Sequence, residues 1–140
     1  MCSADAYDMS ITVSFGKSSF EVNSGLLELF LRLAALHIES PVTQLEQEIR
    51  DDWLFISSGG HSEILCPDFD FYLYPREGKV IALSAIGSLL IALKNAPKQL
   101  NKDMLNVMGF KYIYVGDVNS EALIALGEAC IDLINGRDRS

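Results

Sequence analysis

The sequence has few of the residues that build disulfide frameworks and metal centres. Its three cysteines, Cys2, Cys66 and Cys130, are an odd number without a CxxC spacing. This argues against a disulfide framework or a zinc site and favours a reducing compartment. The two histidines, His37 and His61, form no HxxxH or HxH pair, so we expect no metal site and no cofactor.

Basic residues are also scarce, with 11 lysines and arginines against 19 acids and a formal net charge of −8. Binding to nucleic acid needs a concentrated basic face, so this balance argues against a nucleic-acid partner. The densest basic group is Lys94, Lys98 and Lys102, spaced four residues apart. We interpret this group as a solvated rim.

No apolar run is long enough to cross a bilayer. The longest, from Val80 to Leu93, is 14 residues and ends at Lys94, whereas a membrane-spanning helix needs about 20. The first ten residues lack the basic and apolar regions of a signal peptide. We therefore expect a cytoplasmic protein without a membrane partner.

What the sequence does have is acid, and nearly all of the net charge lies between Glu39 and Glu77. This segment holds nine acids and two bases, a balance of −7 out of the total of −8. The acids are Glu39, Glu46, Glu48, Asp51, Asp52, Glu63, Asp68, Asp70 and Glu77. The negative charges of this segment repel one another on folding, which indicates a role in solubility or in the choice of a partner.

The length of 140 residues predicts a single compact domain, with residues 1–9 and 137–140 as flexible ends. The hydrophobic pattern predicts an α+β fold, with a mainly antiparallel sheet and helices packed on it. The first element is a hairpin, Ser10 to Val22, in which a Gly16-Lys17 turn pairs Val13 with Phe20. The other predicted strands are Ser62–Cys66, Phe69–Tyr74, Lys79–Leu83 and Phe110–Val115, with residues 75–78 as a hairpin loop. The predicted helices are Gly25–Glu39, 41–55, Ala85–Asn95, Lys98–Met108 and Ser120–Asn135.

Two local features are candidate sites. Glu28 is assigned to the outer face of the first helix, which places His37 on its buried face as a core histidine or a site residue. A second feature, the loop with His61, Cys66 and Asp68, brings base, nucleophile and acid side chains together. It is the basis of an alternative function as a small hydrolase or transferase. A loop with an exposed histidine is the simpler interpretation, and we expect no catalytic residue.

The interpretation we favour is a non-enzymatic protein that binds a basic protein partner. Opposite potentials speed the encounter of two proteins and penalise wrong partners. Tyrosine beside acids is typical of surfaces that capture arginine and lysine. The predicted partner-binding residues come from the second helix and from the region of the strand Phe69–Tyr74. They are Glu46, Glu48, Asp51, Asp52, Asp68, Asp70, Tyr72 and Tyr74.

In size, charge and lack of a catalytic motif, the chain resembles bacterial immunity proteins, which neutralise a cognate toxin, often a nuclease with a cationic substrate cleft. The resemblance implies that carboxylates take the positions of substrate phosphates in that cleft. The chain is also similar to secretion chaperones for effector proteins, which are small, acidic, α+β and dimeric. That similarity implies a homodimer through Ala85–Asn95, although the early hairpin departs from the helix-first order of that family.

Overall fold

The structure is a computed structural model that describes residues 10–39, 42–58, 67, 69–107 and 118–136. Six helices and two small antiparallel sheets make up this part of the chain, which is 67% helical. The α+β class is therefore confirmed, with helices contributing most of the described residues. The ends that we expect to be flexible, residues 1–9 and 137–140, lie outside the described ranges.

The chain begins with the predicted hairpin, formed by β1 (Ser10–Phe15) and β2 (Ser18–Asn23). Its antiparallel register pairs Val13 with Phe20, as predicted. Gly16 has a φ of 62°, a backbone conformation that glycine adopts without strain and that suits a two-residue turn. Because Val13 is only 1% exposed, one face of the hairpin lies against the core.

Two long helices follow, α1 (Ser24–Leu36) and α2 (Gln44–Ser58). The side chain of Asn23 caps α1 by accepting a hydrogen bond from the Leu26 N–H at 3.1 Å, so the predicted cap, Ser24, is instead the first helical residue. The predicted second helix, 41–55, is displaced by three residues toward the C-terminus. Pro41, which was expected to start it, lies outside the described residues.

The predicted rotation of α1 about its axis is wrong. Glu28, expected on the outer face, is 7% exposed. His37, expected on the buried face, is half-buried and follows the last turn, where its N–H donates to the Ala34 carbonyl at 3.0 Å. The reason is that α1 contacts three other helices and β2, so much more than one face of it is enclosed.

Residues 69 to 94 are largely helical, and the predicted strands Phe69–Tyr74 and Lys79–Leu83 are wrong. This segment contains α3 (Phe69–Tyr72) and the 19-residue helix α4 (Arg76–Lys94). Residues 75–78, predicted as a hairpin loop, form the start of α4, with Pro75 at the N-cap position. The physical reason is that buried positions recur at helical spacing well before Ala85, where the predicted helix begins, so the helix extends further toward the N-terminus. These positions are Gly78, Ala82, Ala85, Ile86, Leu89, Leu90 and Leu93.

The C-terminal part holds a second small sheet, in which β3 (Gln99–Leu100) pairs antiparallel with β4 (Val118–Asn119). Between these strands lies α5 (Lys102–Asn106), so the predicted helix Lys98–Met108 is too long. The side chain of Asn101 caps α5 by accepting from the N–H groups of the next turn, which fixes its start. Two further predicted strands, Ser62–Cys66 and Phe110–Val115, lie outside the described residues.

The last helix, α6 (Ser120–Ile134), agrees closely with its prediction and is followed by Gly136 at a φ of 74°. It packs on α4 and α1. The helices approach closely at Gly127, where a β-carbon would lie 2.6 Å from Leu90 Cδ2 and 3.2 Å from Phe30 Cε1. Cys130 belongs to this core, as expected, and burial raises the pKa of its thiol to about 12. Across the described ranges, no helix combines the length and apolar character needed to cross a membrane.

Candidate functional site

The outer face of α2 carries a row of exposed side chains, Gln44, Glu48, Asp51 and Phe55. Their spacings of four, three and four residues place them on one side of the helix. Trp53, on the opposite side, is fully buried, which fixes the rotation of α2 and directs the row to solvent. We call Glu48 and Asp51 the acidic strip.

Glutamine amides position both carboxylates of the acidic strip. Gln44 Nε2 donates to Glu48 Oε1 at 3.3 Å, and Gln47 Nε2 donates to Asp51 Oδ1 at 2.8 Å. Each bond joins residues one turn apart and restricts the carboxylate without cancelling its charge. Neither carboxylate forms an ion pair with a described residue. The acidic strip therefore presents two ordered negative charges.

Glu46, also on α2, has a structural role at the start of the helix. Its Oε1 atom accepts hydrogen bonds from the N–H groups of Val42 (3.3 Å) and Thr43 (3.1 Å) and from the Thr43 hydroxyl. The Glu46 N–H in turn donates to Thr43 Oγ1 at 3.1 Å, which completes a capping box. The Thr43 and Val42 bonds hold the pKa of Glu46 below its ordinary value, so this carboxylate stays ionised.

Asp52 takes part in a chain of hydrogen bonds that ties α3 to α2. The Trp53 indole N–H donates to the Tyr72 hydroxyl oxygen at 2.7 Å, and this hydroxyl donates to Asp52 Oδ2 at 2.8 Å. Tyr72 is 2% exposed and Trp53 is fully buried. Asp52 and Tyr72 are thus brought together, as the prediction of a joint surface requires, but by a contact inside the fold.

Asp70 and Tyr74 contact the tip of the β1–β2 hairpin. Asp70 Oδ1 accepts a hydrogen bond from the Gly16 N–H at 2.8 Å. The ring of Tyr74, which is 63% exposed, lies 5.2 Å from the ring of Phe15, and Lys79 Nζ lies 5.4 Å from the centre of that same ring. The prediction that Tyr72 shares an exposed face with these two residues is wrong. In a helical turn, Tyr72 lies about half a turn away from Asp70, whereas in a strand the two would share a face.

The eight predicted binding residues therefore fall into groups with different structural roles. Glu48 and Asp51 are exposed on one face of α2. Asp70 is held by the hairpin, and Asp68 lies outside the described residues. Phe55, 42% exposed at the end of the same row, is a residue that the sequence reasoning missed. The sequence could have shown this, because Phe55 follows Asp51 by four residues and so lies on the same face of a helix.

A polar contact between α1 and α2 was also missed. Arg32 Nε donates to Ser57 Oγ at 3.1 Å, and this hydroxyl donates to the Leu54 carbonyl at 3.0 Å. Burial lowers the pKa of Arg32, and Ser57 is fully buried. Both residues stabilise the packing of α1 on α2, which holds the acidic strip on a rigid support.

The loop with His61, Cys66 and Asp68 lies outside the described residues, and the alternative enzymatic function keeps its status as a hypothesis. Within the described ranges, no group of three or more histidine, cysteine or acidic side chains is arranged to hold a metal ion.

Comparison with known proteins identifies no relative. The chain matches no protein-family model, no curated protein and no solved structure.

Proposed function

We propose that this chain is a cytoplasmic, non-enzymatic protein that binds and neutralises a basic protein partner, in the manner of an immunity protein acting on a toxin. The observation that carries the proposal is the acidic strip. Glu48 and Asp51 are exposed, ordered by neutral amides and without a cation partner among the described residues. The exposed Phe55 beside them adds the apolar contact area that protein-binding surfaces use.

The division of roles among the acids supports this proposal. Glu46 caps α2, Asp52 accepts from Tyr72, and Asp70 holds the hairpin turn. Glu48 and Asp51 have no comparable role, because the glutamine amides that bind them come from the same helix. Two uncompensated charges on one helix face repel each other, and a cationic partner would remove that repulsion.

The proposed mechanism is electrostatic. In a partner with a cationic cleft, the carboxylates of the acidic strip pair with the lysines or arginines that otherwise hold substrate phosphates. The helix fixes the spacing of the two charges, so little side-chain entropy is lost on binding. Long-range attraction between the partners raises the association rate and makes it sensitive to salt.

A charge-reversal experiment tests the proposal. The strip variant, Glu48→Lys with Asp51→Lys, is compared with a control variant, Glu21→Lys with Glu128→Lys. All four positions are exposed, and both variants raise the net charge equally. Asp52 is left unchanged because its carboxylate accepts the Tyr72 hydroxyl, and its loss would destabilise the fold.

Tagged wild-type and variant proteins are used to capture partners from cells of the source organism at low and high salt, with identification by mass spectrometry. We expect the wild type and the control variant to retain the same basic protein and the strip variant to lose it. The captured protein is then assayed for its own activity with and without this chain, and inhibition is expected. Equal capture by the strip variant would contradict the proposal.

A dimeric chaperone has less support from the packing. Five apolar residues of the segment Ala85–Asn95 are buried against the rest of the chain, and Ile91 is the large one that is exposed, at 66%. The buried residues are Ala85, Ile86, Leu89, Leu90 and Leu93. Size-exclusion chromatography with light scattering tests this alternative, which requires a dimer that Ile91→Asp dissociates.

A further inference from the structure

A groove runs between the start of α2 and the first half of α4. It encloses about 360 Å³ and has an apolar floor of Leu45, Val80 and Ile81. A second depression of about 230 Å³ shares Glu46, Val80 and Ile81 with it, so the two form one groove that extends to the end of α1. Pockets for small ligands occupy about 300–1,000 Å³, so this groove is large enough to hold an apolar side chain.

The floor of the groove is incompletely covered. Val80 is 58% exposed, and Leu45 and Ile81 are half-buried. An apolar side chain seated on them would remove this surface from water, which is the main source of affinity in the centre of protein interfaces.

The rim of the groove is acidic. The exposed Glu77 lines one half of the groove, the exposed Glu39 lines the other, and Glu46 lines both. Among the described lining residues, the basic side chains are Arg76 and His37. Glu46 is fixed by its capping bonds, all of which use Oε1. Its second oxygen, Oε2, accepts no hydrogen bond from the described part of the chain. An ionised carboxylate in a fixed position with a free oxygen suits a lysine or arginine.

Building on the proposed function, we propose that this groove seats an apolar side chain of the basic partner and that an adjacent lysine or arginine of the partner binds Glu46. Charge complementarity selects this occupant. A second copy of this chain has a net charge of −8 and is repelled, and an acidic peptide or a fatty acid is repelled by the same rim. On α2, Leu45 lies about a sixth of a turn around the helix from Glu48, whereas Glu46 lies about half a turn from it. The groove therefore adjoins the acidic strip at Leu45, and the partner reaches Glu46 from within the groove.

Nuclear magnetic resonance with ¹⁵N-labelled protein tests this inference. Three synthetic peptides of equal length are titrated: one alternates lysine and leucine, one lysine and serine, and one glutamate and leucine. We expect the lysine–leucine peptide to shift the amide signals of Glu46, Val80 and Ile81. The lysine–serine peptide should shift Glu48 and Asp51 but bind at least tenfold more weakly, and the glutamate–leucine peptide should shift none of these signals.

Two matched variants of α4 give the control. Val80→Asn removes the apolar floor, whereas Ile91→Asn alters a residue of similar exposure on the same helix outside the groove. We expect Val80→Asn to weaken the binding of the lysine–leucine peptide at least tenfold and Ile91→Asn to leave its binding unchanged. The spectrum of each variant also reports whether it is folded.

The outcomes separate this inference from the function on which it depends. If both basic peptides bind equally well at Glu48 and Asp51 and Val80→Asn has no effect, the groove inference is overturned and the proposed function stands. If the lysine–leucine peptide shifts no groove signal, the inference is also overturned. Loss of partner capture by the strip variant is measured separately and decides the proposed function.

Discussion

Replacing Tyr72 with phenylalanine removes one hydroxyl from the chain of hydrogen bonds between α2 and α3. The indole N–H of the fully buried Trp53 then has no acceptor, and an unsatisfied buried donor costs about 1–3 kcal/mol. The half-buried Asp52 also loses the donor at 2.8 Å, although water replaces part of that bond. We therefore expect Tyr72→Phe to lower the free energy of unfolding by about 2–3 kcal/mol.

Urea unfolding measures this loss, because Trp53 is the only tryptophan and reports on its own surroundings. With a urea dependence of about 1–3 kcal/mol per molar, the midpoint should fall by roughly 0.7–3 M. Tyr74→Phe is the matched control: Tyr74 is 63% exposed, and its hydroxyl loss should change stability by less than about 0.5 kcal/mol. If the two variants unfold at the same urea concentration, the reasoning about this hydrogen-bond chain is refuted.

Three further predictions follow from backbone approach, capping and burial. Gly78→Ala should destabilise the protein by about 2 kcal/mol or more, because the new β-carbon would collide with the Tyr72 carbonyl. Gly87→Ala, which has open space around it, should instead stabilise α4 by about 0.5–1 kcal/mol. Thermal unfolding of the two variants compares these effects. The capping bonds hold the pKa of Glu46 below its ordinary value, so the wild type should be more stable than Glu46→Gln. The full difference in unfolding free energy should be present above about pH 4.5 and should be lost as the pH falls through the lower pKa of the folded protein. Urea unfolding at pH 7 and pH 3 checks this, and an equal difference at both would contradict it. Iodoacetamide should modify Cys130 only in denaturant, as read by peptide mass mapping, since burial raises its pKa to about 12.

The parts of the fold that the sequence predicts well are determined by local interactions. The hairpin depends on alternation and on the glycine turn, and both are visible within the segment from Ser10 to Val22. The last helix ends at a glycine in the left-handed conformation, Gly136. In both cases the residue type reports a backbone conformation directly.

The segment after residue 68 shows where such reasoning fails. The sequence predicts Pro75 and Gly78 as turn residues, but Pro75 is the N-cap of α4 and Gly78 allows the backbone of α4 to approach the Tyr72 carbonyl. The aromatic residues of Phe69–Tyr72 favour strands by propensity. They form a helical turn here because Tyr72 bonds to Asp52 and Trp53 across about 20 residues of sequence, and such a contact leaves no local pattern.

The candidate site was predictable to a similar extent. The exposure of Glu48 and Asp51 follows from the helical period. The capping role of Glu46 could have been found from the spacing of Thr43 and Glu46. The structural role of Asp52 could not, because it depends on the position of α3.

The most direct test of the proposed function is the dissociation constant of the captured partner, measured by calorimetry at two salt concentrations for the wild type, the strip variant and the control variant. Raising the ionic strength shortens the range of charge interactions, to about 10 Å at 0.1 M. We expect the strip variant to bind at least tenfold more weakly than the other two and to lose most of the salt dependence. Equal affinities and equal salt dependence for all three proteins would contradict it.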